Sequence, residues 1–308
     1  MNKEQKESEI SEKSTFEQSA KEQYITVFDG SELRVLSFEN PKQPREEVEI
    51  MFIPGMLTIF PRWEKVVKEL NEYYKVHYIE SREKSTSKLV KKAPMKIEVM
   101  REDLDGIEKA LGLDKKQYIT ISSSMGGAMI LENLALKAIS PKGSILIGPG
   151  VEVIFPKWST ILIPIVPAFG IAMLKPLVRW YLRNKTVDAD KEPEQAKQYI
   201  RSVNEADVKK MKKCIVKNAN KYDGWDILPK IQDRIILVGA TTDKAHRSDF
   251  SFRVANTLTN CTFVDLGTNK AAHDTPLVDL TKDFIKELTN TGPKLEEKII
   301  NPEFRKQP

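Results

Sequence analysis

Residues 118–127 read Tyr-Ile-Thr-Ile-Ser-Ser-Ser-Met-Gly-Gly and continue into a helix-forming run, so a β-branched strand passes through three serines into a helix. A serine held on such a sharp strand-to-helix turn presents its hydroxyl as a nucleophile, provided that the residues two places before and after it are very small. Ser124 meets that condition, with Ser122 and Gly126 at the crowded positions. Ser123 would place Ile121 and Met125 there, and Ser122 would have Thr120 and Ser124 with no glycine. The chemistry open to Ser124 is attack on a carbonyl carbon. The same residue types also serve as a helix N-cap on a structural or phosphate-binding turn.

Ser122-Ser123-Ser124-Met125-Gly126 resembles the nucleophile elbow of the α/β-hydrolase superfamily, with Ser122 replacing the usual first glycine. The resemblance spans roughly residues 24–290 apart from an insertion. It implies an oxyanion loop after the strand Val48–Ile53, where Pro54-Gly55-Met56 stands with proline at a position often held by histidine. The backbone N–H groups of Met56 and Met125 are then the expected oxyanion donors. An ordinary Pro-Gly turn is the simpler alternative.

Three histidines are present. His77 lies in a strand-like segment ahead of the serine and reads as a packing residue. His246 is three residues beyond Asp243, too near to be a separate partner on the next loop. His273 follows the strand-like Cys261–Gly267 and precedes a helix beginning near Thr275, a setting that looks like the superfamily's histidine loop. By the same resemblance the acid follows the strand Ile235–Val238, which points to Asp243, one residue beyond the commonest spacing after Gly239. Glu152 is the fallback. Lone loop histidines and turn aspartates are also commonplace as solvated residues. The order Ser124, Asp243, His273 is that of an α/β-hydrolase triad.

The implied activity is serine esterase or lipase-like cleavage of a carboxylic ester with an apolar acyl group, through an acyl-enzyme and with neither metal nor organic cofactor. Epoxide hydrolases and haloalkane dehalogenases of the superfamily carry aspartate where Ser124 stands, which disfavours them. The alternative is a non-catalytic ligand sensor or membrane-surface binding protein on the same fold.

The elements that must position these residues are legible. Two antiparallel-like strands, Tyr24–Phe28 and Glu32–Phe38, precede alternating strands and helices, which predicts a mostly parallel α/β-hydrolase sheet flanked by helices. The expected core is 24–150 with 228–291, with a helical cap over 151–227 inserted after the sixth strand. In a chain of 308 residues with 40% hydrophobic content this leaves room for one large domain. Residues 1–23, rich in Lys, Glu, Ser and Gln, are expected to be disordered, and 292–308 to trail over the surface. No apolar run follows Met1, and Cys214 and Cys261 have no metal-ligand spacing. A cytoplasmic protein with reduced cysteines is the expectation. No P-loop or Rossmann glycine pattern is present, and no nucleic-acid motif.

The insertion carries two unusual segments. Trp158–Leu174 is uncharged and 17 residues long, between Lys157 and Lys175. That is the bottom of the membrane-spanning range, but Pro164, Pro167 and Gly170 interrupt it, and a span would separate Ser124 from Asp243 and His273. It is therefore expected to form an apolar lid. From Glu205 to Tyr222, Val208, Met211 and Ile215 form an apolar stripe among Lys209, Lys210, Lys212, Lys213 and Lys217. Residues 153–230 hold 15 Lys plus Arg against 8 Asp plus Glu, so the basicity of the +5 chain resides there. This predicts a solvated helix face, or peripheral contact with an anionic membrane.

Overall fold

The computed structural model describes residues 13–39, 48–155, 157–181, 193–243 and 246–299. Its strands are β1 (Lys21–Thr26), β2 (Glu32–Phe38), β3 (Glu49–Ile53), β4 (Val76–Ile79), β5 (Tyr118–Ser123), β6 (Ser144–Ile147), β7 (Ile235–Gly239) and β8 (Cys261–Asp265). The α-helices in chain order are α1 (Thr15–Ser19), α2 (Phe60–Asn71), α3 (Ile97–Met100), α4 (Glu102–Leu111), α5 (Ser124–Leu136), α6 (Lys157–Ile165), α7 (Ala168–Met173), α8 (Lys175–Tyr181), α9 (Pro193–Glu205), α10 (Val208–Asn218), α11 (Ser248–Thr257) and α12 (Thr275–Leu288).

The strands form one sheet in the order β1-β2-β4-β3-β5-β6-β7-β8. β1, β2 and β4 pair antiparallel, and every pairing from β4 through β8 is parallel. Parallel strands with both faces covered read as continuous apolar runs, as in the fully buried Ile-Ile-Leu-Val-Gly of β7. Alternate side chains divide between two cores. Ile50, Phe52, Ile119 and Ile121 pack with Trp63 and Leu277 on one face. Met51 and Ile53 pack with Ala128 and Met129 of α5 on the other. α5 is buried from Met125 to Leu134, which is why its sequence is apolar all round instead of amphipathic.

The helices α6 to α10 lie between β6 and β7. Trp158–Leu174 is not one helix: Pro164 sits within α6 and Pro167 caps α7. No helix among the described residues is long and apolar enough to cross a membrane. The lysines of α10 are not uniformly solvated. Lys210 Nζ donates to the carbonyls of Lys84 (2.9 Å), Ser85 (3.1 Å) and Ser87 (2.5 Å), and Lys212 Nζ to those of Pro164 (3.0 Å) and Val166 (2.7 Å). Only Lys209, Lys213 and Lys217 of the five are exposed.

Both termini are more ordered than their composition suggests. Residues 1–12 and 300–308 lie outside the described residues, but the expectation of disorder up to residue 23 fails from residue 13 onward. Ser14 caps α1 by accepting from the Glu17 N–H, Phe16 stacks on Phe38 at 4.5 Å, and the buried Glu17 pairs with Arg34 at 2.8 Å. The single aromatic and one ion pair provide the anchor that average composition hides. In the C-terminal tail, Lys298 exchanges backbone hydrogen bonds with Phe263 and Asp265 and so covers the exposed edge of β8.

Candidate active site

Ser124 sits where β5 ends in the middle of the sheet, between β3 and β6. Its φ is +47°, in the left-handed region that a non-glycine residue adopts at a cost of about 1–3 kcal/mol. The surroundings enforce that conformation. A Cβ on Gly126 would lie 2.5 Å from the Ile53 carbonyl oxygen and 2.9 Å from that of Pro54, so only glycine lets the start of α5 close onto the β3 loop. A Cβ on Gly55 would lie 2.9 Å from Cβ of Ser124. From the other side, Gly150 N–H donates to the Ser124 carbonyl at 2.9 Å. The Ser122 hydroxyl, at the position of the usual first glycine, is buried without a hydrogen-bond partner.

The Pro54-Gly55-Met56 loop is held at both ends of one residue. Gly55 N–H donates to Oγ of Ser123 at 2.8 Å, and the Gly55 carbonyl accepts from Lys84 Nζ at 2.6 Å. Lys84 is buried and paired with the equally buried Glu83 at 2.9 Å. The peptide between Gly55 and Met56 is trans, so its N–H points opposite to its carbonyl. Drawing the carbonyl toward Lys84 therefore aims the Met56 N–H the other way. Met56, Ser124 and Met125 all line one cleft of about 630 Å³. Val153, Ile154, Phe155, Ile215 and Phe250 make much of its wall apolar. The volume suits a small-molecule ligand.

His273 lies at the C-terminal end of β8, stacked on Trp63 with ring centroids 4.3 Å apart. Its Nδ1 bonds the Asn269 carbonyl at 2.8 Å, and its Nε2 faces Arg62 Nη2 at 3.3 Å. A carbonyl can only accept and a guanidinium only donate, so Nδ1 carries the proton and Nε2 the lone pair. Burial, and then the charge of Arg62, push this histidine down to about 3, against the opposing hydrogen bond to the Asn269 carbonyl and the weaker pull of Asp243. Asp243 accepts from Asn269 Nδ2 at 2.6 Å and from the His246 N–H at 3.0 Å. Asn269 thus touches both acid and histidine. Neither it nor Arg62 belongs to a motif in the sequence that would mark it as part of a site.

His246, set aside on sequence spacing, comes forward in the structure. Its Nδ1 is 3.6 Å from Oδ2 of Asp243, and it lines the same cleft as Ser124. Gly148, at φ +48°, makes room for it: a Cβ there would be 2.7 Å from that of His246. The ring nitrogens of His273 are directed to Asn269 and Arg62, and neither histidine is hydrogen-bonded to the Ser124 hydroxyl. Glu152 also lines the cleft, with its carboxylate accepting from Trp225 Nε1 at 3.4 Å. His77 is buried between Ser37 and Glu49, both at 2.8 Å. Both cysteines are free, and burial pushes each thiol up to about 12, so neither is a nucleophile near neutral pH. No cluster of three or more His, Cys, Asp or Glu side chains among the described residues could hold a metal ion.

The chain matches no protein-family model and no curated protein. Solved structures are similar across most of it. A thermophilic esterase from Thermogutta terrifontis aligns over 87% of this chain and 99% of its own, with TM-score 0.66 and 15% identity. The enol-lactonase from Burkholderia xenovorans LB400 aligns over 87% and 99%, with TM-score 0.68 and 19% identity. The fold is that of the α/β-hydrolases. The epoxide hydrolase CorEH shares it at 15% identity and TM-score 0.66, covering 87% of this chain and 99% of that one, so this fold does not dictate the bond that is cleaved. In α/β-hydrolase terms, Gly55, Ser124, Gly148, Asp243 and His273 all follow the C-terminal ends of strands, where open parallel sheets bind ligands.

Proposed function

We propose that the protein is a serine hydrolase of carboxylic esters bearing an apolar acyl or lipid-like group, with α6 to α10 as its cap. The observation that carries this reading is Ser124 at φ +47° in a cleft that it shares with Met56 and Met125. Ser124 attacks the ester carbonyl, and the N–H groups of Met56 and Met125 receive the developing oxyanion. His273 takes the hydroxyl proton, passes it to the departing alcohol, and then activates the water that releases the acid. For that first step Nε2 must exchange Arg62 for the Ser124 hydroxyl. Asp243, through its field and through Asn269, favours the imidazolium that forms. Acyl selection follows from the apolar wall, each buried methylene contributing about 0.8 kcal/mol.

His246 is the second candidate for the base, favoured by its place in the cleft and its 3.6 Å approach to Asp243. A ligand sensor without turnover is the other reading, favoured by the engagement of both His273 nitrogens away from Ser124. Labelling with a fluorophosphonate probe separates them. Wild type should label, and Ser124→Ala and His273→Ala should not. Loss of labelling in His246→Ala but not in His273→Ala would reassign the base. Well-folded wild type that never labels would move the protein to the sensor reading.

A further inference from the structure

We infer that the face of α6, α7 and α8 docks on the surface of an anionic phospholipid bilayer. Fourteen large hydrophobic side chains are exposed among the described residues, and ten of them lie between Ile154 and Trp180. Ile165, Phe169 and Met173 are 71%, 72% and 76% exposed. Scattered apolar residues on a surface need no explanation, but this concentration in one stretch spanning three successive helices calls for a partner.

Several observations select a bilayer as the occupant. Residues 153–187 contain no Asp or Glu, so no carboxylate of the segment repels an anionic surface; Lys175 and Arg179 bind Asn204 and Ala206 at the end of α9. α10, which packs on α6 and α7, adds the exposed Lys209, Lys213 and Lys217. The helices are too short to span: nine residues of α6 rise about 14 Å, against a hydrocarbon core of about 30 Å. They can only lie within the interface. Tryptophans in the first and last of these helices, Trp158 and Trp180, are suited to the headgroup level. The helix break at Pro164–Pro167 would expose carbonyls that are costly near hydrocarbon, and Lys212 Nζ already binds those of Pro164 and Val166.

The docking face also adjoins the cleft. Ile154 and Phe155 line the Ser124 cleft, and Ile215 borders both that cleft and a second cavity of about 240 Å³ between α6 and α10. On the ester-hydrolase reading, this gives an acyl chain an apolar way from the bilayer to Ser124.

Co-sedimentation with vesicles of phosphatidylcholine alone and of phosphatidylcholine with 30 mol% phosphatidylglycerol, an anionic fraction of about one third, tests the inference. Wild type should bind the anionic vesicles at least about fivefold more tightly than the neutral ones. A triple Ile165→Ser, Phe169→Ser, Met173→Ser variant should lose about tenfold or more of that binding, while its hydrolysis of a soluble short-chain ester stays at the wild-type rate. These side chains are exposed, so its thermal midpoint should match wild type. Ser124→Ala should bind vesicles like wild type, which keeps docking separate from catalysis. Equal binding to both vesicle types, wild-type binding by the triple variant, or a concentration-dependent dimer that the triple variant abolishes would each overturn the inference, the last in favour of a second copy of this chain.

Discussion

Lys84 is the side chain whose removal should damage catalysis without touching substrate. Its Nζ holds the Gly55 carbonyl at 2.6 Å, and on the proposed mechanism that contact sets the direction of the Met56 N–H. Losing one oxyanion donor outright costs about a hundredfold to a thousandfold in kcat. A donor that is present but free to swing should lose part of that, about tenfold to a hundredfold. Removing Lys84 alone would strand the buried Glu83 carboxylate at a cost of about 3–5 kcal/mol. The double variant Glu83→Gln, Lys84→Met removes both charges and confines the damage to lost hydrogen bonds, roughly 1–3 kcal/mol each. Steady-state kinetics on a soluble nitrophenyl ester should then show kcat down at least about tenfold with KM little changed, the pattern of an interaction made in the transition state. Glu83→Gln alone should keep near-wild-type kcat. A double variant that is folded, with a cooperative urea transition, yet turns over within about twofold of wild type would refute the link between Lys84 and the Met56 N–H.

Other substitutions probe the remaining contacts. Burial and Arg62 hold His273 near 3, below its ordinary value of 6.5, so the neutral base persists as pH falls through 6 and 5. The sign for stability is opposite: below 6.5 the unfolded chain takes up a proton that the folded chain refuses, so stability declines toward pH 3. Arg62→Leu removes the larger of the two charge effects that depress His273 and should move the acid limb of kcat/KM to higher pH; an unchanged limb would mean that His273 is not the base. Ser122→Ala deletes a buried hydroxyl that has no partner and should raise stability by up to about 1 kcal/mol, read from the urea midpoint. Gly126→Ala drives a Cβ to 2.5 Å from the Ile53 carbonyl and should abolish probe labelling even where the protein stays folded.

Much of the frame is written locally in the sequence, and the site only partly. Strand ends could be read because parallel strands are continuous apolar runs, and Ser124 because its steric needs are met within five residues. Asn269 and Arg62 meet His273 across separations of 4 and 211 residues, and nothing in the local pattern marks either. A spacing of three residues argues against His246 as a separate partner of Asp243, yet its Nδ1 stands 3.6 Å from the Asp243 carboxylate. The lysines of α10 looked equivalent by periodicity. Only tertiary contacts reveal that Lys210 and Lys212 bind carbonyls while three others meet solvent.

Lys210 links the helical insertion to the Pro54-Gly55-Met56 loop through Lys84, and this gives a last prediction. Its Nζ gathers the carbonyls of Lys84, Ser85 and Ser87, so α10 braces the same backbone whose Lys84 side chain holds Gly55. A charged donor shared by three carbonyls is among the stronger polar contacts, worth roughly 1.5–3 kcal/mol where one bond involves an ion. Lys210→Met should loosen residues 84–87, seen as faster amide exchange there than in β4, and lower kcat by about threefold to tenfold with KM nearly constant. Lys210→Arg keeps a charged donor in place and should restore most of the rate. If exchange quickens but kcat does not fall, the brace stabilises the loop without governing the Met56 N–H. If neither changes, the insertion and the Pro54-Gly55-Met56 loop are mechanically independent, and binding at α6 to α8 has no route through Lys210 to the chemistry.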